Sequence, residues 1–134
     1  MSNALKGKQI VLGVCGGIAA YKSVELLRLM VKEGASVRVI TTANATQFVG
    51  AATFEALSRQ PVCNNLFGTH QNATIQHIQW AQEADAVVVA PATANMVGKL
   101  ANGIADDALS TFLLAVTCPV LVCPSMNTQM YQFS

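Results

Sequence analysis

The chain has 134 residues, 52% of them hydrophobic and only 11% charged, with eight Lys+Arg against seven Asp+Glu and a formal net charge of +1. That length suits one domain with one core, and the near-neutral balance without a basic cluster argues against a nucleic-acid partner. The longest apolar run is too short to span a bilayer and the N-terminus carries no export signal, so a cytoplasmic protein with no membrane association is expected. So apolar a composition in so small a chain also implies burial against other subunits.

In chain order the pattern alternates strand and helix, with no repeat and no linker, which is the α/β signature. Lys8 to Val14 reads as a first strand. Gly16 to Lys32 reads as a helix, with Val24, Leu27, Met30 and Val31 at helical spacing and Gly34 closing it. Ala35 to Thr41 is a second strand, a helical stretch runs from Ala45 to Ser58, and Pro61-Val62 opens a third strand. A short helix over Ile75 to Glu83 leads to a strand at Asp85 to Ala90. Helical sequence from Asn95 to Val116, broken near Gly103, returns to a last strand at Val120 to Cys123. These units predict a three-layer Rossmann-like fold around a parallel sheet.

Cys15, Cys63, Cys118 and Cys123 show no CxxC spacing, and His70 and His77 stand apart from them in sequence. A metal site is therefore not expected, and the thiols read as reduced core filler. The first strand-to-helix turn, Gly13-Val14-Cys15-Gly16-Gly17-Ile18, allows close backbone approach to a bound group and places a helix N-terminus behind it, which favours an anion. The glycine spacing is neither GxGxxG nor a Walker A loop. The second strand ends in Thr41-Thr42 where a dinucleotide fold would carry an acid for a ribose diol, so hydroxyls there suit a phosphate or ribityl chain instead.

Two later strands each end in a proline followed by an amide-bearing turn. One reads Pro91-Ala92-Thr93-Ala94-Asn95-Met96, the other Pro124-Ser125-Met126-Asn127-Thr128-Gln129-Met130-Tyr131. Both amides thus fall at carboxyl strand ends, the ligand edge of an open parallel sheet. Taken alone, Asn95 or Asn127 would read as a turn residue bonding its own backbone.

These two segments resemble the PASANT-like and PxMNxxMW-like motifs of the FMN-dependent cysteine decarboxylase family, and Gly16-Gly17-Ile18-Ala19-Ala20-Tyr21-Lys22 resembles its first FMN-contacting turn. His77, in His77-Ile78-Gln79-Trp80-Ala81, matches the family pattern HIxxAxxAD around an active-site histidine. The resemblance implies a flavoprotein-type fold with FMN as cofactor. Gly17 and Ile18 would lie against FMN, Thr41 and Thr42 would meet its phosphate or ribityl end, and Phe48 would pack beside the ring. Thr93, Ala94, Asn95, Met96, Ser125 and Met126 would line it. Asn127 would bind the substrate carboxylate, and His77 would assist proton removal, histidine being the side chain that titrates near neutrality.

The implied substrate is 4'-phosphopantothenoylcysteine, decarboxylated to 4'-phosphopantetheine for coenzyme A biosynthesis. A cysteine carboxylate has no electron sink beside it, and in this family the flavin creates one by oxidising the thiol and its carbon to a thioaldehyde. The resulting enethiolate is then reduced again. The resemblance also implies a homo-oligomer built from trimers, with His77 serving a neighbour's flavin.

The family domain continues past the PxMN motif into a flap that carries a proton-donating cysteine, to which none of the four cysteines here corresponds. The chain is accordingly expected to be one flavoprotein domain over residues 1–134 that lacks its C-terminal substrate flap, with Tyr131 in place of the family's usual Trp. Two alternatives remain open: a flavin prenyltransferase-like enzyme, and a non-catalytic FMN-binding regulatory subunit.

Overall fold

The computed structural model describes residues 4–63 and 73–125. The elements are β1 (Gln9–Val14), α1 (Ala20–Lys32), β2 (Ser36–Thr41), a 3-10 turn (Asn44–Gln47), α2 (Ala51–Ser58), α3 (Ala73–Glu83), β3 (Ala86–Ala92), α4 (Ala94–Asn102), α5 (Ala108–Ala115) and β4 (Val120–Pro124). The strands form one parallel sheet in the order β2-β1-β3-β4. The expected parallel, Rossmann-like α/β fold is the fold observed.

Period-two alternation along β1 sends its side chains to two separate cores. Ile10, Leu12 and Val14 pack with Leu27 and Met30 of α1, Val37 and Val39 of β2, and Phe54 of α2. On the opposite face Val11 and Cys15 join Ile40, Val87 and Val89, covered by Ala81 of α3, Met96 of α4, and Leu109 and Phe112 of α5. A strand buried on both faces must be apolar at every position, which is why Ile10–Val14 and Val87–Ala90 read as continuous runs. The three layers are therefore helix, sheet and helix. A buried hydroxyl stitches two of them together: Ser23 Oγ of α1 donates to the Ala90 carbonyl of β3 at 2.6 Å.

Several boundaries differ from the sequence reading. The third strand expected at Pro61-Val62 is only an isolated parallel bridge between Ile40 and Cys63. There Cys63 N–H donates to Val39 O and Thr41 N–H to Cys63 O, while Pro61 has no N–H with which to lengthen the ladder. The following strand runs beyond its expected end at Ala90 to Ala92. Proline removes a donor but keeps its acceptor, and Pro91 O accepts from Cys15 N–H at 3.1 Å. Helix α1 starts at Ala20 because the preceding residues form a turn, closed by Ala20 N–H donating to Gly17 O. The stretch from Ala45 divides into the 3-10 turn and α2, separated by an extended Gly50. The long helix breaks as expected at Gly103, whose φ of +67° is readily adopted only by glycine. Asp107 then caps a new helix, accepting from Ser110 N–H while Ser110 Oγ accepts from Asp107 N–H.

Phe112 is fully buried at the centre of the second core. Phe112→Ala should lower stability by about 3–5 kcal/mol, as expected for an aromatic cavity in a packed interior. Denaturant unfolding against the wild type measures it, and a shift below 1 kcal/mol would contradict this packing.

Candidate functional site

The carboxyl ends of β1, β2 and β3 meet at one edge of the sheet, and a cavity of about 460 Å³ opens there. Gly16 follows β1, Thr42 and Asn44 follow β2, and Thr93 to Met96 follow β3, all on its wall. The β1–α1 turn can reach the 3-10 turn only because residue 16 has no side chain. A Cβ added at Gly16 would stand 2.6 Å from Asn44 Cβ and 2.8 Å from the Asn44 carbonyl carbon.

Hydroxyls and helix ends supply the local polarity. Thr42 N–H donates to Val14 O, extending the ladder by one bond, and Thr42 Oγ1 accepts from Ala45 N–H at 3.3 Å. Thr93 is the N-cap of α4, its Oγ1 accepting from Met96 N–H at 3.2 Å. The first amides of α4 have no acceptor within the helix, so its positive end lies on the cavity wall at Ala94 and Asn95. Thr41 is 1% exposed, and its Oγ1 has no hydrogen-bond partner among the described residues.

Part of the cavity wall is ionic, at Lys99 and Asp107. Lys99 Nζ, on a side chain only 15% exposed, lies 2.8 Å from Asp106 Oδ1 and 3.0 Å from Asp107 Oδ2. The Asp106 hydrogen bond holds the Lys99 pKa above its ordinary value, against the opposing effect of burial. Burial alone would raise the Asp107 pKa, but hydrogen bonds from the Ser110 hydroxyl and amide and from Lys99 outweigh it and hold the carboxyl below its ordinary range. Beneath the cavity, burial raises the Cys15 thiol, only partly offset by hydrogen bonds from Thr93. Cys15 is therefore a neutral thiol at physiological pH.

Of the residues expected from the sequence, Thr42, Thr93, Ala94, Asn95 and Met96 line this cavity together. Thr41 lies buried beside it in the chain. Gly17 and Ile18 do not line it: a Cβ at Gly17 would meet nothing within 4 Å, and Ile18 is 83% exposed. Phe48, just past the 3-10 turn, is likewise exposed. Ser125 follows β4, its N–H bonded to Ala92 O. Met126 and Asn127 lie outside the described residues, and so does His70. His77 is on α3, with its side chain outside what is described. Gly16 as a wall residue, Asn44, Lys99 and Asp107 were not foreseen. Asp107 followed by Ser110 is a readable capping pattern, whereas nothing in the sequence pairs Lys99 with it.

Two shallower grooves run along α1 and α2, lined by side chains such as Glu25, Arg28 and Leu57. Neither includes a strand-end residue, so the carboxyl-edge cavity is the better candidate despite similar volumes. Among the described residues no group of three or more His, Cys, Asp or Glu could hold a metal ion. No described helix is long and apolar enough to cross a membrane.

A parallel sheet with a polar cavity at its carboxyl edge defines a ligand-binding protein of the Rossmann-like class. The chain belongs to the flavoprotein family, whose model matches residues 1–134. It is 50% identical over 127 residues to the coenzyme A biosynthesis bifunctional protein CoaBC of Bacillus subtilis, covering 95% of this chain and 31% of that protein. The chain thus spans about a third of the length of the curated relatives it matches. Among solved structures, the FMN-dependent cysteine decarboxylase TvaF from thioviridamide biosynthesis matches with a TM-score of 0.87 at 31% identity, over 95% of this chain and 78% of that one. A PPC decarboxylase mutant complexed with pantothenoylaminoethenethiol matches with a TM-score of 0.74 at 29% identity, over 92% of this chain and 70% of that one.

The Asp107 cap gives a pH-dependent expectation. A carboxyl held below its unfolded value contributes stability that is present above that value, near 3.8, and is lost as pH falls through the lower folded value. Asp107→Ala should cost about 0.5–2 kcal/mol at pH 7, the usual worth of an N-cap, and the gap to wild type should narrow below about pH 4. Unfolding curves at pH 7 and pH 3 test this, and a gap that widens in acid would contradict it.

Proposed function

We propose that residues 1–134 form a single FMN-binding domain of a cytoplasmic carboxy-lyase that decarboxylates 4'-phosphopantothenoylcysteine to 4'-phosphopantetheine. The observation that carries this reading is the convergence of Gly16, Thr42 and Thr93–Met96 on one cavity, in a chain half identical to a coenzyme A biosynthesis protein. The names of the solved neighbours, FMN-dependent cysteine decarboxylases and PPC decarboxylase, support the same cofactor and reaction class.

The residues present fit FMN. The cavity volume of about 460 Å³ falls within the roughly 300–1,000 Å³ typical of cofactor sites. Gly16 brings the β1–α1 turn against Asn44 on the cavity wall, an approach any Cβ would block, and Thr41 Oγ1 is a buried hydroxyl with no partner among the described residues. Two carboxylates face one ammonium at Lys99, which disfavours a phosphate beside it. Thr42, Asn44 and the glycine turn offer uncharged donors and would hold the phosphate. Thr93 and the start of α4 would then flank the ring system.

When bound, FMN supplies a reversible two-electron acceptor for the substrate thiol and its adjacent carbon. His77 would take the proton released in that oxidation, and Asn127 would hold the carboxylate until carbon dioxide departs. Gly17, Ile18, Phe48, Ser125 and Met126 complete the proposed surround. Because Ile18, Tyr21 and Phe48 are exposed in the single chain, we place them toward neighbouring copies in a trimer-based homo-oligomer, with His77 serving a neighbour's flavin. A prenyl phosphate would require free cations, and the cavity's lysine is already neutralised by its two aspartates, which disfavours the prenyltransferase alternative.

The protein should bind FMN non-covalently with the yellow absorbance of oxidised flavin, and Gly16→Val should weaken that binding at least 100-fold while circular dichroism stays native. A folded wild-type protein that takes up no FMN on titration would refute the reading. Under anaerobic mixing with substrate, His77→Asn should keep the flavin yet abolish its bleaching at any substrate concentration. Asn127→Asp should instead bleach only at much higher substrate concentration, because a like charge then faces the substrate carboxylate. Wild-type bleaching kinetics in either variant would remove that residue from its assigned role.

A further inference from the structure

Helix α3 is held to the rest of the molecule in an unusual way. Among its described side chains only Ala81 is fully buried, and one methyl group does little to fix the rotation of a helix about its axis. Trp80 is partly buried against the same core, and among the described side chains a charged residue on the neighbouring sheet adds a directional tether. Arg38 of β2 stands at the outer edge of the sheet, on the face that α3 covers. Its guanidinium carbon lies 5.1 Å from the centre of the Trp80 ring. Its Nη1 donates to Glu83 Oε2 at 3.1 Å, and its Nε donates to Gln60 Oε1 at 3.2 Å.

Both partners are themselves held. Gln79 Nε2 donates to the other Glu83 oxygen at 2.9 Å, and hydrogen bonds from Gln79 and then Arg38 keep the Glu83 carboxyl below its ordinary pKa. Gln60 Nε2 donates to Val37 O at 3.0 Å and to Ser36 Oγ at 3.2 Å, covering part of the unpaired edge of β2. Gln60 is delivered to that edge by Arg59, which ends α2 in the left-handed region with φ of +59°. Arg38 therefore joins the end of α2 on one side of the sheet to the second half of α3 on the other. Its side chain is 24% exposed, so the planar fork works where water competes only partly.

His77 lies three residues before Trp80 on the same helix. We infer that Arg38 is a positioning residue for His77, setting the rotation and height of α3 by stacking on Trp80 and bonding Glu83. The inference rests on the reading of His77 as the proton-handling residue. A misplacement of about 1 Å at a reacting group can cost on the order of 100-fold in rate, and the Arg38 contacts to Trp80 and Glu83 fix the second half of α3 directionally.

The test uses the FMN-loaded protein expressed from its complete reading frame, with 4'-phosphopantothenoylcysteine under anaerobic mixing. Arg38→Met should lower the limiting rate of flavin bleaching by about 10- to 100-fold, leaving FMN affinity and the half-saturating substrate concentration within about threefold. Glu83→Ala, at a half-exposed position that folding tolerates, should move the rate in the same direction and serves alone if Arg38→Met does not fold. Glu83→Gln keeps an acceptor for Nη1 and should restore the rate to within about threefold of wild type. A wild-type limiting rate in a folded Arg38→Met or Glu83→Ala variant overturns the inference. So does an equal loss of FMN affinity. A wild-type rate in His77→Asn alone overturns the reading of His77 itself, and is seen independently of Arg38.

Discussion

The parallel ladder through β1 is the interaction on which the rest of the molecule depends. Val14 is level with Thr41, and Gly13 with Val89. Hydrogen bonding continues past the strand ends: Thr42 N–H reaches Val14 O, Cys15 N–H reaches Pro91 O, and Ser125 N–H reaches Ala92 O. Those bonds bring Cys15, Thr42, Thr93 and Ser125 into one row across the sheet edge before any side chain is considered. Because the chain turns after β1, β2 and β3 into a helix or a 3-10 turn, that part of the row is bordered by turns and helix N-termini. A ligand edge is thus a consequence of parallel pairing, and the residue types only choose the ligand.

What those residue types choose is a cavity wall of mixed polarity. Gly16, Thr42 and Asn44 offer uncharged donors, while Lys99 is outnumbered by Asp106 and Asp107. Asp107 has a structural duty as well. Asp107 must be a carboxylate to accept from Ser110 and cap α5, and α5 carries Leu109 and Phe112 into the core. The charge pattern of the site and the start of a core helix therefore share one side chain, so the polarity of the cavity cannot be altered at Asp107 without loosening the layer beneath it. The same economy appears at Thr93, which both caps α4 and lines the cavity.

Much of the fold was readable because both faces of the sheet are covered. Buried strands had to be short apolar runs and the helices between them had to show helical spacing, so β1, β2, β3 and β4 all fell near their expected positions. The errors arose where local signals and tertiary bonding compete. Pro61-Val62 has strand composition, but among the described residues its pairing with β2 is confined to the bridge of Cys63 with Ile40. Pro91 looked like a stop, yet its carbonyl continues the ladder to Cys15. Gly16 and Gly17 looked like the start of a helix, and the backbone instead spends them on the turn that brings Asn44 close.

The site was legible as a row of strand ends and not as a set of contacts. Thr42, Thr93, Asn95 and Met96 could be placed from sequence because a motif and a strand end coincide there. Lys99, Asn44 and Asp107 could not, since each enters the cavity only through a pairing across distant segments. The Arg38 cluster has the same origin: positions 38, 60, 80 and 83 share no periodicity, and what unites them is the edge of β2. Sequence pattern reports which face of an element is buried. It does not report which polar side chains must meet at the margin of a sheet, where few apolar contacts are available and a planar cation can take over the work of packing.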